Sequence, residues 1–140
     1  MKKLIFLLLC TATLGLVSCK KDTIIQEPAN KTVIFDLTPD KWKLSSDGFT
    51  YSAQYNNLPE IDDFGLKVEG HIVSISYPPY TSYVQLPFVF NTDAYSYYVY
   101  QNGINIDIER SDFQQATPVK PTNTIRVKVV IVASRDATND

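Results

Sequence analysis

The chain has 140 residues, 13 of them basic and 15 acidic, for a formal net charge of −2. One domain is the expectation at this length, and with no basic cluster nucleic acid is excluded as a partner, because phosphate binding needs grouped Lys and Arg. Two cysteines and one histidine leave no ligand set for a soft metal.

Met1-Lys2-Lys3 opens the chain with positive charge. The apolar run Leu4-Ile5-Phe6-Leu7-Leu8-Leu9 follows and continues with small interruptions to Val17. It is too short and too broken for a spanning helix, which takes about 20 apolar residues, and it fits a secretory signal over residues 1–18. The signal ends Leu16-Val17-Ser18-Cys19, which resembles a bacterial lipobox. That resemblance implies diacylation of the Cys19 sulfur and cleavage just before it. Thiolate nucleophilicity suits the thioether. Each buried acyl CH₂ contributes about 0.8 kcal/mol, so two or three chains hold where one holds only marginally. Cys10 leaves with the signal and Cys19 carries lipid, so no disulfide is expected. A domain of this size buries roughly two-thirds of its unfolded surface and needs none.

Residues 19–31 read as the lipidated N-terminus and a polar tether interrupted by Pro28. Its length past the cysteine reaches at most about 40 Å. From residue 32 strand signals dominate. Thr32–Leu37 is the first strand, broken by Pro39-Asp40. Lys41–Leu44 is the second, with Trp42 and Leu44 expected on one face. Asp47-Gly48 is a two-residue hairpin signal. Phe49–Tyr55 alternates, placing Phe49, Tyr51, Ala53 and Tyr55 together. Glu60–Leu66 is the one candidate helix, begun after Pro59 by early acidic residues and stopped at Gly65 or Gly70. His71–Tyr77 is a strand with Val73, Ile75 and Tyr77 on one side, and Pro78-Pro79 opens a loop to Ser82. Tyr83–Phe90 reads as one strand whose Pro87 marks an edge or a bulge.

Tyr95–Gln101 and Ile104–Arg110 flank Asn102-Gly103, read as a two-residue turn. That register sets Gln101 opposite Ile104, Val99 opposite Ile106 and Tyr97 opposite Ile108. The other face then pairs Tyr100 with Asn105, Tyr98 with Asp107 and Ser96 with Glu109. A proline-containing loop leads to the last strand, Thr124–Ala133, with Ile125, Val127, Val129 and Ile131 inward. Val130 and Val132 suggest cover on both sides of that strand's end, and residues 134–140 are expected to fray. About eight antiparallel strands and one short helix make an all-β fold over residues 32–140. The expectation is a β-sandwich, Ig-like or related, with a small β-barrel as the alternative.

Trp42, Tyr51, Pro59-Glu60-Ile61, Ile72–Tyr77, Gln85-Leu86-Pro87-Phe88 and Arg126–Ile131 carry a wider resemblance. With the lipobox and Lys20-Lys21-Asp22, residues 40–133 resemble a β-rich domain of uncharacterised lipoproteins of the Bacteroidota. Some of those carry collagen-like repeats, and this chain has no Gly-x-y tract. The resemblance implies an outer-membrane lipoprotein of the cell envelope, on its periplasmic or surface face, and transfers no active site.

No catalytic constellation is evident, and no cofactor or metal is called for. His71 shares its phase with Val73 and Ile75 and is expected half-buried and structural. Glu60, Asp62 and Asp63 lack the spacing of a calcium loop and suit a helix start. Asp107 and Glu109 share a face about 7 Å apart, the pairing of a glycosidase, but two solvent-facing carboxylates on one strand are far commoner. Tyrosine is in excess, with nine residues. Outward Tyr98 and Tyr100 beside Asn105 and Asp107, extended by Tyr80 and Tyr83, form the candidate binding face, since flat amphipathic rings suit glycan or protein contact. The ordinary account of such tyrosines is β-propensity. The functional expectation is a non-enzymatic envelope module, held to the membrane through Cys19, that binds a glycan or an envelope protein. The alternative is a structural subunit assembling through edge strands.

Overall fold

The computed structural model describes residues 29–112, 116–134 and 137–138. The signal, Cys19 and most of the tether lie outside the described residues, as does much of the C-terminal segment expected to fray. Among the described residues, nine strands and one α-helix follow in order: β1 Lys31–Leu37, β2 Lys43–Leu44, β3 Thr50–Tyr55, α1 Asp63–Val68, β4 Gly70–Ser76, β5 Val84–Gln85, β6 Phe88–Phe90, β7 Asp93–Tyr100, β8 Gly103–Arg110 and β9 Ile125–Val132. They form two antiparallel sheets, ordered β1-β9-β4-β5 and β2-β3-β8-β7-β6. The fold is a β-sandwich, and neither sheet closes into a barrel.

Alternation builds the core. Strand β9 is flanked on both sides in its sheet, and Ile125, Val127, Val129 and Ile131 are all buried. Val73 and Ile75 of β4 join them. From the other sheet come Ile104, Ile106 and Ile108 of β8, with Ala53 and Tyr95. Tyr97 ties the layers together, its hydroxyl donating to the His71 carbonyl over 2.7 Å. Phe35 and Tyr55 stack at 3.9 Å between ring centroids. Val130 and Val132 are half-buried, flanked by Thr32, Ile72 and Gly70 of the neighbouring strands.

Local chemistry moved several boundaries. Strand β2 begins at Lys43, after a 3-10 turn over Pro39–Lys41. Trp42 lies just before it and is buried, whereas Leu44 is exposed, so the two do not share a face. Asp47-Gly48 is not a two-residue hairpin. Lys43 pairs with Ser52 and Leu44 with Tyr51, and the Ser45 amide donates to the Thr50 carbonyl over 2.8 Å. The loop is longer because Ser45 and Asp47 cap its amides, and Gly48 takes the left-handed conformation with φ of 82°. Phe49 falls in this loop and is exposed, outside the face of Tyr51, Ala53 and Tyr55.

The helix starts three residues later than expected. Leu58 and Ile61 are fully buried and held in a turn by a hydrogen bond that the Ile61 amide donates to the Leu58 carbonyl. Asp62 then caps α1, accepting from the Gly65 amide over 2.7 Å. Gly65 does not stop the helix but lies inside it.

The Tyr83–Phe90 segment is two strands. The Leu86 amide donates to the Val73 carbonyl, but Pro87 has no amide to continue that ladder. The chain leaves the first sheet there and joins the second as β6. Strands β5 and β6 are both edges, one of each sheet.

The β7–β8 register is also shifted. Tyr100 pairs with Gly103, Val99 with Ile104, Tyr97 with Ile106 and Tyr95 with Ile108. Gln101-Asn102 is the turn, with Asn102 left-handed at φ of 61°. Its amide donates to the Ile61 carbonyl and its carbonyl accepts from the Leu58 amide, which pins the turn to the plug before α1. A shift of two residues keeps every side chain on its expected face.

Candidate functional site

The side of the sandwich where the edge strands β5 and β6 of the two sheets lie opens into a cavity of about 520 Å³, within the ordinary range for ligand sites. One wall is aromatic, built from Tyr77, Phe88, Phe90 and Tyr95. The opposite wall is the Val119–Asn123 segment. Phe88 and Tyr95 are cross-strand partners and stack at 4.8 Å. Phe90 is 60% exposed, and Val84 and Val119 are also exposed. This apolar concavity is open to solvent at a strand edge, where a soluble protein ordinarily avoids such surface.

At the start of β7, Asp93 lines the same cavity and is only 5% exposed. Its Oδ2 accepts from the Val119 amide over 3.1 Å, joining the two walls. Its Oδ1 is buried and receives no hydrogen bond. The nearest cation is Nη1 of Arg110, at 3.9 Å, an ion pair but beyond hydrogen-bond reach. Arg110 instead directs Nε and Nη2 to Asp112. The tyrosines beside Asp93 respond to their surroundings. Burial raises the Tyr77 hydroxyl well above its ordinary range, helped by its hydrogen bond to Tyr95 and by the Asp93 charge. Burial raises Tyr95 too, with the same carboxylate contributing. Both remain neutral hydroxyls at physiological pH.

The four residues expected on the β7–β8 face do come together. Tyr98 pairs with Asn105, not with Asp107, which lies opposite Ser96. The Tyr98 and Tyr100 rings are 6.1 Å apart and tilted. Asn105 is buried and donates to Asp107 Oδ1 over 2.6 Å, which also accepts from Ser52 over 2.5 Å. The Tyr100 hydroxyl donates to Asn56. Asp107 and the Tyr100 hydroxyl are thus engaged with neighbours, Asn105 Oδ1 is buried without a hydrogen bond, and only Tyr98 stands well out. Glu109 accepts from Thr50, so Asp107 and Glu109 each face a neighbouring hydroxyl.

Tyr80 and Tyr83 do not extend that face. The Arg126 guanidinium lies 4.3 Å from the Tyr80 ring, and Lys128 lies 4.1 Å from Tyr83. Arg126 and Lys128 are on the outer face of the other sheet, so the proline loop folds over the opposite side of the sandwich. Arg126 also makes a two-point pair with Asp36. The Arg126 hydrogen bond holds the Asp36 carboxyl below its usual value.

His71 is half-buried, with Nε2 unpartnered, and burial lowers its pKa. Asp63 pairs with Lys67 one turn along α1. Among the described residues no three His, Cys, Asp or Glu side chains converge as a metal site.

The cavity was missed in the sequence because its lining comes from three separated stretches. The available signals were Phe88-Val89-Phe90 after a proline and an acid, Asp93, at the head of an otherwise aromatic strand. Comparisons with protein-family models, curated proteins and solved structures find no match.

Proposed function

We propose that this chain is an exported, lipid-anchored binding module of the cell envelope, with no catalytic role, and that its ligand seat is the β5–β6 groove. The observation that carries the reading is the open aromatic cavity with a buried carboxylate, Asp93, in its lining. Such a site combines apolar area with one orienting polar group, the usual composition of a binding pocket. The Tyr98–Tyr100 face is the weaker seat, because Asp107 and the Tyr100 hydroxyl already hold partners and only Tyr98 stands well out. The lipobox, the polar tether and the resemblance to Bacteroidota lipoproteins support anchoring through Cys19 at the outer membrane. The ligand class is a glycan or a segment of an envelope protein.

Glycan arrays and pull-downs from an envelope fraction, run with the wild type and three variants, test this. Loss of a bound ligand in Phe90→Ala, with retention in Tyr98→Ala, is the expected result. Loss only in Tyr98→Ala with Tyr100→Ala would move the seat back to the tyrosine face.

Assembly through edge strands is the second reading. Strand β1 is an edge seven residues long with Ile34 exposed, a template for pairing with another chain. Concentration-dependent sedimentation tests it, and a strict monomer at high concentration counts against it.

A further inference from the structure

We propose that the groove receives a lysine side chain from an extended segment of a partner protein, its methylenes against Val84, Phe88 and Val119 and its ammonium on Asp93. This rests on the reading of the groove as the binding seat and names its ligand. Three observations converge on it.

The first is the distribution of polarity. The walls are mainly apolar and aromatic, with Asn91, Lys120, Thr122 and Asn123 also on them, while the buried acceptor without a hydrogen bond is a carboxylate oxygen, Asp93 Oδ1. A ligand that matches must be apolar along its length and cationic at its tip, which describes lysine.

The second is charge. Arg110 gives Nε and Nη2 to Asp112 and stays 3.9 Å from Asp93. An arriving ammonium finds an acceptor that the protein's own cation leaves without a hydrogen bond, in a cavity that Tyr77 and Tyr95 also line. Lys120 is the one cation on the wall. It is exposed, so solvent and salt screen its repulsion. Oδ1 is sealed from solvent in the ligand-free protein, so contact requires a side-chain adjustment of the kind common at interfaces.

The third is the neighbouring backbone. Strand β6 has β7 on one side and no strand on the other. An extended segment can pair with that open edge while its side chain enters the groove, the mode in which main-chain bonds give affinity and a pocket gives specificity.

The probe is acetyl-Thr-Val-Lys-Val-Thr-amide, titrated into the full chain and compared with versions carrying norleucine or Nε-acetyl-lysine at the centre. The lysine peptide is expected to bind at least tenfold more tightly than either. Phe90→Ala, at an exposed position that folding does not need, is expected to weaken it at least tenfold. Asp93→Asn is expected to make the three peptides equal; if that variant misfolds, the peptide comparison and Phe90→Ala still decide. Equal affinity for all three peptides, lost in Phe90→Ala, would overturn the lysine assignment and leave the groove as the seat. Binding untouched by Phe90→Ala would overturn both. Binding of none of the peptides would overturn the lysine assignment.

Discussion

A Cβ on Gly103 would lie 2.3 Å from the ring of its cross-strand partner Tyr100. The glycine is there so that the ring can cover the hairpin end, where its hydroxyl reaches Asn56. Gly103→Ala should cost about 1 kcal/mol, by displacing that ring and its hydrogen bond. Urea unfolding should show the cost falling to near zero in a Tyr100→Ala background, since the clash is then gone. His71 gives a pH signature. Burial disfavours its charged form more strongly than nearby Glu69 favours it, so the folded pKa lies below the unfolded value of about 6.5. Its contribution is complete above that value and is lost as the pH falls below it. The urea midpoint should therefore drop between pH 8 and pH 5, and drop less in His71→Gln. An unchanged slope in the variant would remove His71 from the account.

At the scale of elements, the sandwich was legible wherever one face of a strand had to be buried. Ile104, Ile106 and Ile108, and Ile125 to Ile131 at alternate positions, could point only one way. The register error of two residues in the β7–β8 hairpin left those faces intact for the same reason. The turn itself was not legible, because Asn102 is held by Leu58 and Ile61, residues more than forty positions upstream. The split at Pro87 was half legible. Proline announced an edge, but that the chain would change sheets depended on Leu86 filling the core while its amide finished the β4 ladder. The groove was illegible for a related reason: Tyr77, Phe90 and Val119 meet only once both sheets exist. Open edges carry a prediction of their own. Val89→Lys on β6 places a charge on an exposed edge position, which should leave stability within about 0.5 kcal/mol and abolish any self-association made through β6. Sedimentation of wild type and variant checks it, and association that persists must use another edge.

On the scale of the whole molecule, a proposed membrane anchor precedes a two-sheet body whose concave feature lies where an edge strand of each sheet, β5 and β6, comes together. The anchor has a direct test. Cys19→Ser should move the protein from the membrane fraction to the soluble fraction, since a protein held only by acyl chains has nothing else of comparable strength; unchanged fractionation would contradict the tether. The central claim is that partners meet this chain at the β5–β6 groove. It is tested most directly in the native cell, with photoreactive benzoylphenylalanine replacing Phe90 in one strain and Tyr98 in another. On irradiation, the account expects a discrete cross-linked adduct from the position of Phe90 and none from that of Tyr98. An adduct from the position of Tyr98 alone would contradict it.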